Sequence, residues 1–189
     1  MEHFILESTG LPDFLPMERS EGIHVSDVIY SLCVSLGYYR PTNDDTIDKT
    51  RMDLGRALEH AFCEMLILDD PQRYMRIGEL CLDDISGNLD LYDILKSRPK
   101  EIKLTWRSAR HDINGPKFWG NRIQAICYAK MLGCTSTELD ICHVDGNYEK
   151  DFSQRKVIFN NWICDMSSKT VNGVWDMIRR HADTMRKKG

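Results

Sequence analysis

Two short runs, Gly87-Asn88-Leu89-Asp90-Leu91-Tyr92 and Glu101-Ile102-Lys103, stand on either side of the turn-like Lys96-Ser97-Arg98-Pro99-Lys100. They constrain the fold more than any other part of the chain. In each run apolar residues alternate with polar ones, the period of a half-buried strand. As adjacent strands they bury Leu89, Leu91, Ile102 and Leu104 and turn Asp90, Glu101 and Lys103 to the opposite face. Two carboxylates and an ammonium then share one small patch. Taken alone, such a patch is also what a solvated sheet face with a lysine ion pair looks like. Hard divalent cations bind carboxylate oxygens and keep several waters, so the same residue types can build a cation site.

The flanking segments decide between these readings. Arg51 to Leu68 (RMDLGRALEHAFCEMLIL) has the pattern of an amphipathic helix, with Leu54, Leu58, Ala61, Phe62, Met65 and Leu66 at helical spacing. Glu59 falls at the edge of that stripe and shares a face with Phe62, Cys63 and Leu66. A carboxylate there is costly unless it is paired or coordinates a metal. Downstream, Asn121 to Leu132 (NRIQAICYAKML) reads as a second helix, on which Gln124 and Tyr128 are four apart and therefore neighbours.

In order, Gly55-Arg56-Ala57-Leu58-Glu59, Gly87-x-x-Asp90, Glu101-x-Lys103 and Gln124-x-x-x-Tyr128 resemble the PD-(D/E)XK nuclease superfamily, in its RecB-like and lambda-exonuclease-like branch. The resemblance covers about residues 50–132. It implies an α/β (α+β) fold with a restriction-endonuclease-like core, a central mixed β-sheet flanked by α-helices, in a single domain over 1–189. Many RecB-like members carry His where this chain has Glu59, while lambda-type exonucleases carry Glu. His60 is adjacent but points about 100° away on a helix, so the first ligand role goes to Glu59.

The resemblance further implies Mg²⁺- or Mn²⁺-dependent hydrolysis of a DNA phosphodiester, giving a 5′-phosphate and a 3′-hydroxyl. Asp90, Glu101 and the backbone carbonyl of Ile102 are then the ligands. Glu59 binds directly, through water or at a second ion, and Lys103 positions and activates the nucleophilic water. Gln124 is assigned to the nucleic-acid backbone or the metal shell, and Tyr128 to a place beside it or to a phosphate; an ordinary helix face packing on the sheet stays open for both. Arg56, Arg107 and Arg110 are the further substrate-binding candidates. Analogy with the lambda type favours an exonuclease acting on linear DNA ends in recombination, repair or phage DNA metabolism. A structure-selective or restriction-type endonuclease, or a non-catalytic DNA-binding module on the same fold, are the alternatives. A homo-oligomer or a recombination partner protein also fits the family.

Charge is informative through its distribution. The 189-residue chain has a formal charge of −4, unlike a generic nucleic-acid-binding protein, but the window from Lys96 to Lys130 is +7 and the remainder −11. Trp106, Phe118 and Trp119 lie within that window, either as core residues or as rings exposed for base stacking. The N-terminus lacks a basic region followed by a long apolar run, and no stretch is long enough to span a bilayer. The expected setting is intracellular, in a bacterial or phage-infected cell, with no membrane partner.

Seven cysteines raise the question of an iron–sulfur cluster, because some RecB-like relatives hold one with one Cys before the core and three after it. Cys33 and then Cys134, Cys142 and Cys164 have that order, but the close C-terminal spacing is missing and there is no CxxC pair. Free thiols in a reducing compartment are the expectation. Elsewhere the pattern predicts a helix over 24–38 capped by Ser26, a loop from Arg40 to Lys49, and a strand from Tyr74 to Ile85 pairing with a strand from Asn88 to Leu95. A third strand spans Lys100 to Arg107, followed by a loop to Asn121. Strands over Thr137 to Val144 and Lys156 to Ile163 and a helix from about Ser168 to Lys187 complete the chain. The basic end of that helix complements its dipole or touches DNA.

Overall fold

The strand expected to run through Asp90 is two strands, with Asp90 as the bend between them. The computed structural model describes residues 20–39, 45–144 and 156–187. In chain order the elements are β1 (Ile23–His24), α1 (Val25–Ser35), α2 (Asp45–Asp69), β2 (Tyr74–Met75), β3 (Gly78–Leu82), β4 (Ile85–Leu89) and β5 (Leu91–Asp93). Then follow β6 (Arg98–Thr105), a 3₁₀ turn over Pro116–Phe118, α3 (Trp119–Met131), β7 (Ser136–His143), β8 (Ile158–Asp165) and α4 (Ser168–Arg186).

Asp90 marks the passage from one sheet to the other. Its preceding strand belongs to a three-stranded sheet ordered β1-β4-β3, and its following strand to a five-stranded sheet ordered β2-β5-β6-β7-β8. Both are mixed. In the larger sheet β6 and β7 are parallel and every other neighbouring pair is antiparallel. Parallel neighbours need a crossover, and α3 supplies it. The expected strand from Tyr74 to Ile85 divides in the same way: β2 pairs with β5, while β3 and β4 form a hairpin. Leu82 stands opposite Ile85, so the hairpin turn is Asp83-Asp84, with φ of +51° and +57°. Both positive angles are what a two-residue I′ turn requires, and Asp tolerates them better than most residues.

One face of the larger sheet packs on α2, through Cys63, Phe62, Leu66 and Ile67 against Tyr74, Leu91 and Ile102. The other packs on α3, where Ala125 joins Phe118, Leu139 and Ile141. Behind α3 lie α1 and α4, whose Val25, Val28, Ile29, Trp175 and Ile178 meet Ile123, Ile126 and Cys127. Six residues of α3 are buried, on all its sides, as expected of a helix between two layers.

Several boundaries differ from the sequence reading. Helix α1 is capped by His24, not Ser26, because β1 runs straight into it, and it stops at Ser35 because Gly37 takes φ +72°. Helix α2 begins at Asp45, inside the expected loop from Arg40 to Lys49; positions 40–44 lie outside the described residues. The N-terminal stretch read for targeting signals also lies outside them. Ser167 caps α4, its side chain accepting from Thr170 N. Among the described residues no helix is long and apolar enough to cross a membrane.

Candidate active site

The site forms where a strand edge runs out of partners. Strand β5 accompanies β6 only as far as Leu91 opposite Lys100, so from Glu101 onward that edge of β6 has no neighbouring strand among the described residues. Its backbone donors still need acceptors. Two carboxylates supply them: Ile102 N donates to Asp90 Oδ2 at 2.8 Å, and Leu104 N to Glu59 Oε1 at 2.8 Å. Asp90 reaches the edge because the chain bends there, and Glu59 because α2 crosses this part of the sheet. A residue's N–H and C=O leave an extended strand on the same edge, so the Ile102 carbonyl faces this cluster too.

Lys103 stands at the centre. Its Nζ is 2.6 Å from Glu101 Oε1 and 3.9 Å from both Glu59 Oε2 and Asp90 Oδ2. Glu101 is only 1 % exposed. Lys103 is thus its close cationic partner at Oε1, while Glu101 Oε2 has no hydrogen-bond partner among the described residues. Burial pushes the Glu101 carboxyl well above the ordinary carboxylate range, and Asp90 adds to the push against the pull of Lys103. Burial also raises Glu59. For Lys103 burial works the other way, but the charges of Glu101, Glu59 and Asp90 outweigh it and hold the ammonium well above the usual lysine value. Lys103 is therefore a fixed cation and donor.

Fully ionised, three carboxylates around one ammonium would carry a net −2, which a divalent cation would cancel as it displaced the proton that burial favours on Glu101. The cation implied by the resemblance fits this donor set: all-oxygen, hard, and including a buried carboxylate whose Oε2 has no partner among the described residues. Among the described residues no three His, Cys, Asp or Glu side chains form a preassembled cage. Glu59 and Asp90 each spend an oxygen on the strand edge, and Lys103 occupies the space between the three. His60 faces away, with its Nδ1 beside Arg76 Nη2 at 3.1 Å.

The remaining candidates divide by place. Gln124 Nε2 donates to Tyr128 Oη at 3.0 Å, and Tyr128 is buried, its hydroxyl pKa raised by burial and then by nearby Glu101. Tyr128 thus packs under the site and does not present itself to a phosphate. Gly87 explains the glycine of Gly87-x-x-Asp90: a Cβ there would stand 2.7 Å from Tyr128 Cε1. Arg107 joins Lys103, Thr105, Asn121 and Tyr39 around a cavity of about 140 Å³. Its guanidinium donates to Lys117 O and to Tyr39 Oη, and Phe118 packs under it. Arg110 lies exposed in the loop after β6, and Arg56 is 70 % exposed beside Asp53.

Two residues of the basic window are corrected by the sheet. Arg98 and Lys100 are buried, paired with Glu138 at 2.5 and 2.6 Å, and Lys100 also with Asp140 at 2.5 Å. They hold β6 to β7 and do not face a substrate. Phe118 is core, and Trp119 packs on the α1 and α4 cluster. The seven cysteines are free thiols. Tyr39, on the cavity wall, was not legible from the sequence; the Gly37 turn just before it was the available signal.

No protein-family profile and no curated protein sequence matches the chain. Among solved structures, a phage-related exonuclease from Haemophilus somnus 129PT superposes with a TM-score of 0.53 at 14% identity, over 87% of this chain and 82% of that one. An alkaline exonuclease from Laribacter hongkongensis superposes with a TM-score of 0.50 at 11% identity, over 88% and 89%. At these identities the likeness bears on architecture alone: the chain shares its overall fold, a mixed α+β architecture consistent with a restriction-endonuclease-like core, with these two exonucleases.

Proposed function

We propose that this protein is a divalent-cation-dependent deoxyribonuclease that hydrolyses phosphodiester bonds at the open edge of β6, working inside the cell on linear DNA ends. The observation that carries the reading is the buried Glu101 carboxylate, which shares one ammonium, Lys103, with Asp90 and Glu59. Structural ion pairs do not need three carboxylates for one lysine, and the excess negative charge opposes folding. A site for a cation and a phosphate gives that excess a use. The names of the two structural neighbours, both exonucleases, support end processing, and one of them supports a phage-related role.

Asp90, Glu101 and the Ile102 carbonyl would hold Mg²⁺ or Mn²⁺ with Glu59 beside them, and the bound ion would neutralise charge developing on the phosphate and acidify the attacking water. The chain's own residues do the rest. Lys103 donates to a phosphate or water oxygen and fixes its direction of approach. The Ile102 and Leu104 amides keep Asp90 and Glu59 from swinging away. Arg107, braced by Lys117 O and Tyr39, offers a guanidinium to the neighbouring phosphate. Tyr128 and Gln124 form the floor that keeps Glu101 dry.

The test is cleavage of a linear duplex labelled at either end beside a covalently closed circle, with Mg²⁺, Mn²⁺ or EDTA. Metal-dependent shortening of the linear DNA alone is the expected result and gives the polarity. Nicking of the circle would make the enzyme an endonuclease. Binding without turnover under both metals would contradict catalysis.

A further inference from the structure

Tyr39, which lines the Lys103 cavity, belongs to a patch of tyrosines whose exposed rings the cleavage chemistry does not use. Tyr30, Tyr38 and Tyr39 are 50, 46 and 45 % exposed. Their placement is built into the end of α1. Gly37 N donates to Val34 O at 3.1 Å and Tyr38 N to Cys33 O at 2.8 Å, with Gly37 in the left-handed region. This is a Schellman cap, which reverses the chain and sets Tyr38 and Tyr39 back beside the helix. The Tyr39 ring lies 5.9 Å from that of Tyr30 at a tilt of 58°, so the two do not spend their faces on each other. Tyr38 stands edge-on to Trp119 at 5.7 Å, which anchors the turn. Tyr39 links the patch to the site. Its ring is 5.7 Å from the Arg107 guanidinium, its hydroxyl accepts from Arg107 Nη2 at 3.4 Å, and both residues line the cavity with Lys103.

We propose that Tyr30 and Tyr39 form a stacking platform for unpaired bases, so that the site takes a single-stranded end, with Arg107 holding the phosphate between platform and Lys103. The inference rests on reading the site as one that cleaves phosphodiesters. Bases in a duplex keep their faces stacked on one another, whereas an unpaired base offers a free π-face to an aromatic ring whatever its sequence. Arg107 and Lys103 provide the positive charge that the backbone of the same strand requires. Aromatic rings beside a cationic groove are the recurring means of holding single strands.

The test is fluorescence anisotropy of a labelled oligothymidylate of about twelve nucleotides, in EDTA so that nothing is cut, beside an abasic strand of equal length. Tyr39→Leu and Tyr30→Ala are each expected to weaken oligothymidylate binding about tenfold; Tyr30→Ala is expected to leave abasic-strand binding unchanged, and Tyr39→Leu, which also loses the Arg107 brace, to weaken it by no more than about threefold. Tyr39→Phe keeps the ring and is expected to bind within about twofold of the wild type. Wild-type affinity in both Tyr39→Leu and Tyr30→Ala, or equal losses on the abasic strand, would overturn the platform. Cleavage by the wild type with Mn²⁺ is scored separately. Ring-dependent binding without cleavage keeps the platform and removes the nuclease reading; cleavage without ring dependence does the reverse.

Discussion

Glu101 carries a free-energy cost whose sign can be measured. Its folded-state pKa lies well above its unfolded value because burial disfavours the charge. The folded protein therefore holds that proton more tightly than the unfolded chain, so stability from this group is greatest below the unfolded pKa and falls as pH rises through the folded one. Glu59, raised in the same direction, adds to the fall. Lys103, raised as a base, contributes fully below the unfolded lysine value and loses its share only in alkali. In EDTA, urea unfolding is expected to show stability declining as pH rises above the ordinary carboxylate range, and more shallowly in Glu101→Gln. That variant is expected to gain about 1–2 kcal/mol, several degrees in Tm, while losing cleavage. A variant no more stable than the wild type would contradict the cost. Gly87 makes a second residue-level case. Gly87→Ala drives a methyl into the Tyr128 ring and is expected to cost about 1–3 kcal/mol and to lower cleavage, both read on the purified variant; unchanged values would show that Tyr128 yields without consequence. The alternation of Leu89, Asp90 and Leu91 made the placement of Asp90 legible, whereas the need for a residue without a side chain at 87 was not, because Tyr128 comes from a distant helix.

Between elements, the pairing of β6 with β7 rests on a buried charge network. Lys100 stands opposite Glu138 in the register, and Arg98, Lys100 and Asn161 all bond to that carboxylate. Burial disfavours the ionised Glu138, but the Lys100 hydrogen bond and charge, then Asn161 and Arg98, outweigh it and bring its carboxyl down to about 2. With a folded pKa below the unfolded one, this stability is complete above the unfolded value near 4.5 and is lost as pH falls toward 2. The amount is on the order of 3 kcal/mol. Glu138→Gln is expected to leave Arg98 buried without its counter-ion and Lys100 with Asp140 alone, costing about 3–5 kcal/mol near neutrality and flattening the acid transition. An acid transition like that of the wild type would assign the transition to other carboxylates. The basic window was legible in sequence as a count, but the pairing was not, since the acids that neutralise two of its members lie on another strand. Turns were read less well for a related reason: Asp83-Asp84 forms a I′ turn without the usual glycine, and only Gly37 announced the end of α1.

Across the whole molecule, two sheets meet at Asp90, and the smaller one is tied to the far side by α4. Trp175, buried among α1, α3 and α4, donates from Nε1 to Asp83 Oδ2 at 2.8 Å, and Arg186 Nη2 donates to Asp84 O at 2.9 Å. The hairpin that leads into Asp90 is thus held at its tip. Trp175→Ala is expected to cost about 3–5 kcal/mol in urea unfolding. Trp175→Phe keeps most of the packing, so its expected cost is about 1–2 kcal/mol; equal losses would show that packing plays no part. The order of strands and helices was legible because hydrophobic period survives in one dimension, and so were the four residues that converge on the site. The tyrosine patch and the division into two sheets depend on chain reversals that local pattern encodes weakly. The most direct test of the central claim is the rate of Mn²⁺-dependent cleavage of end-labelled DNA by Asp90→Ala, Glu101→Gln and Lys103→Ala, each first shown to be folded by circular dichroism. Each is expected to lose at least about a hundredfold in rate. Near wild-type turnover in any two of them would show that the cluster at the edge of β6 is not where the bond is broken.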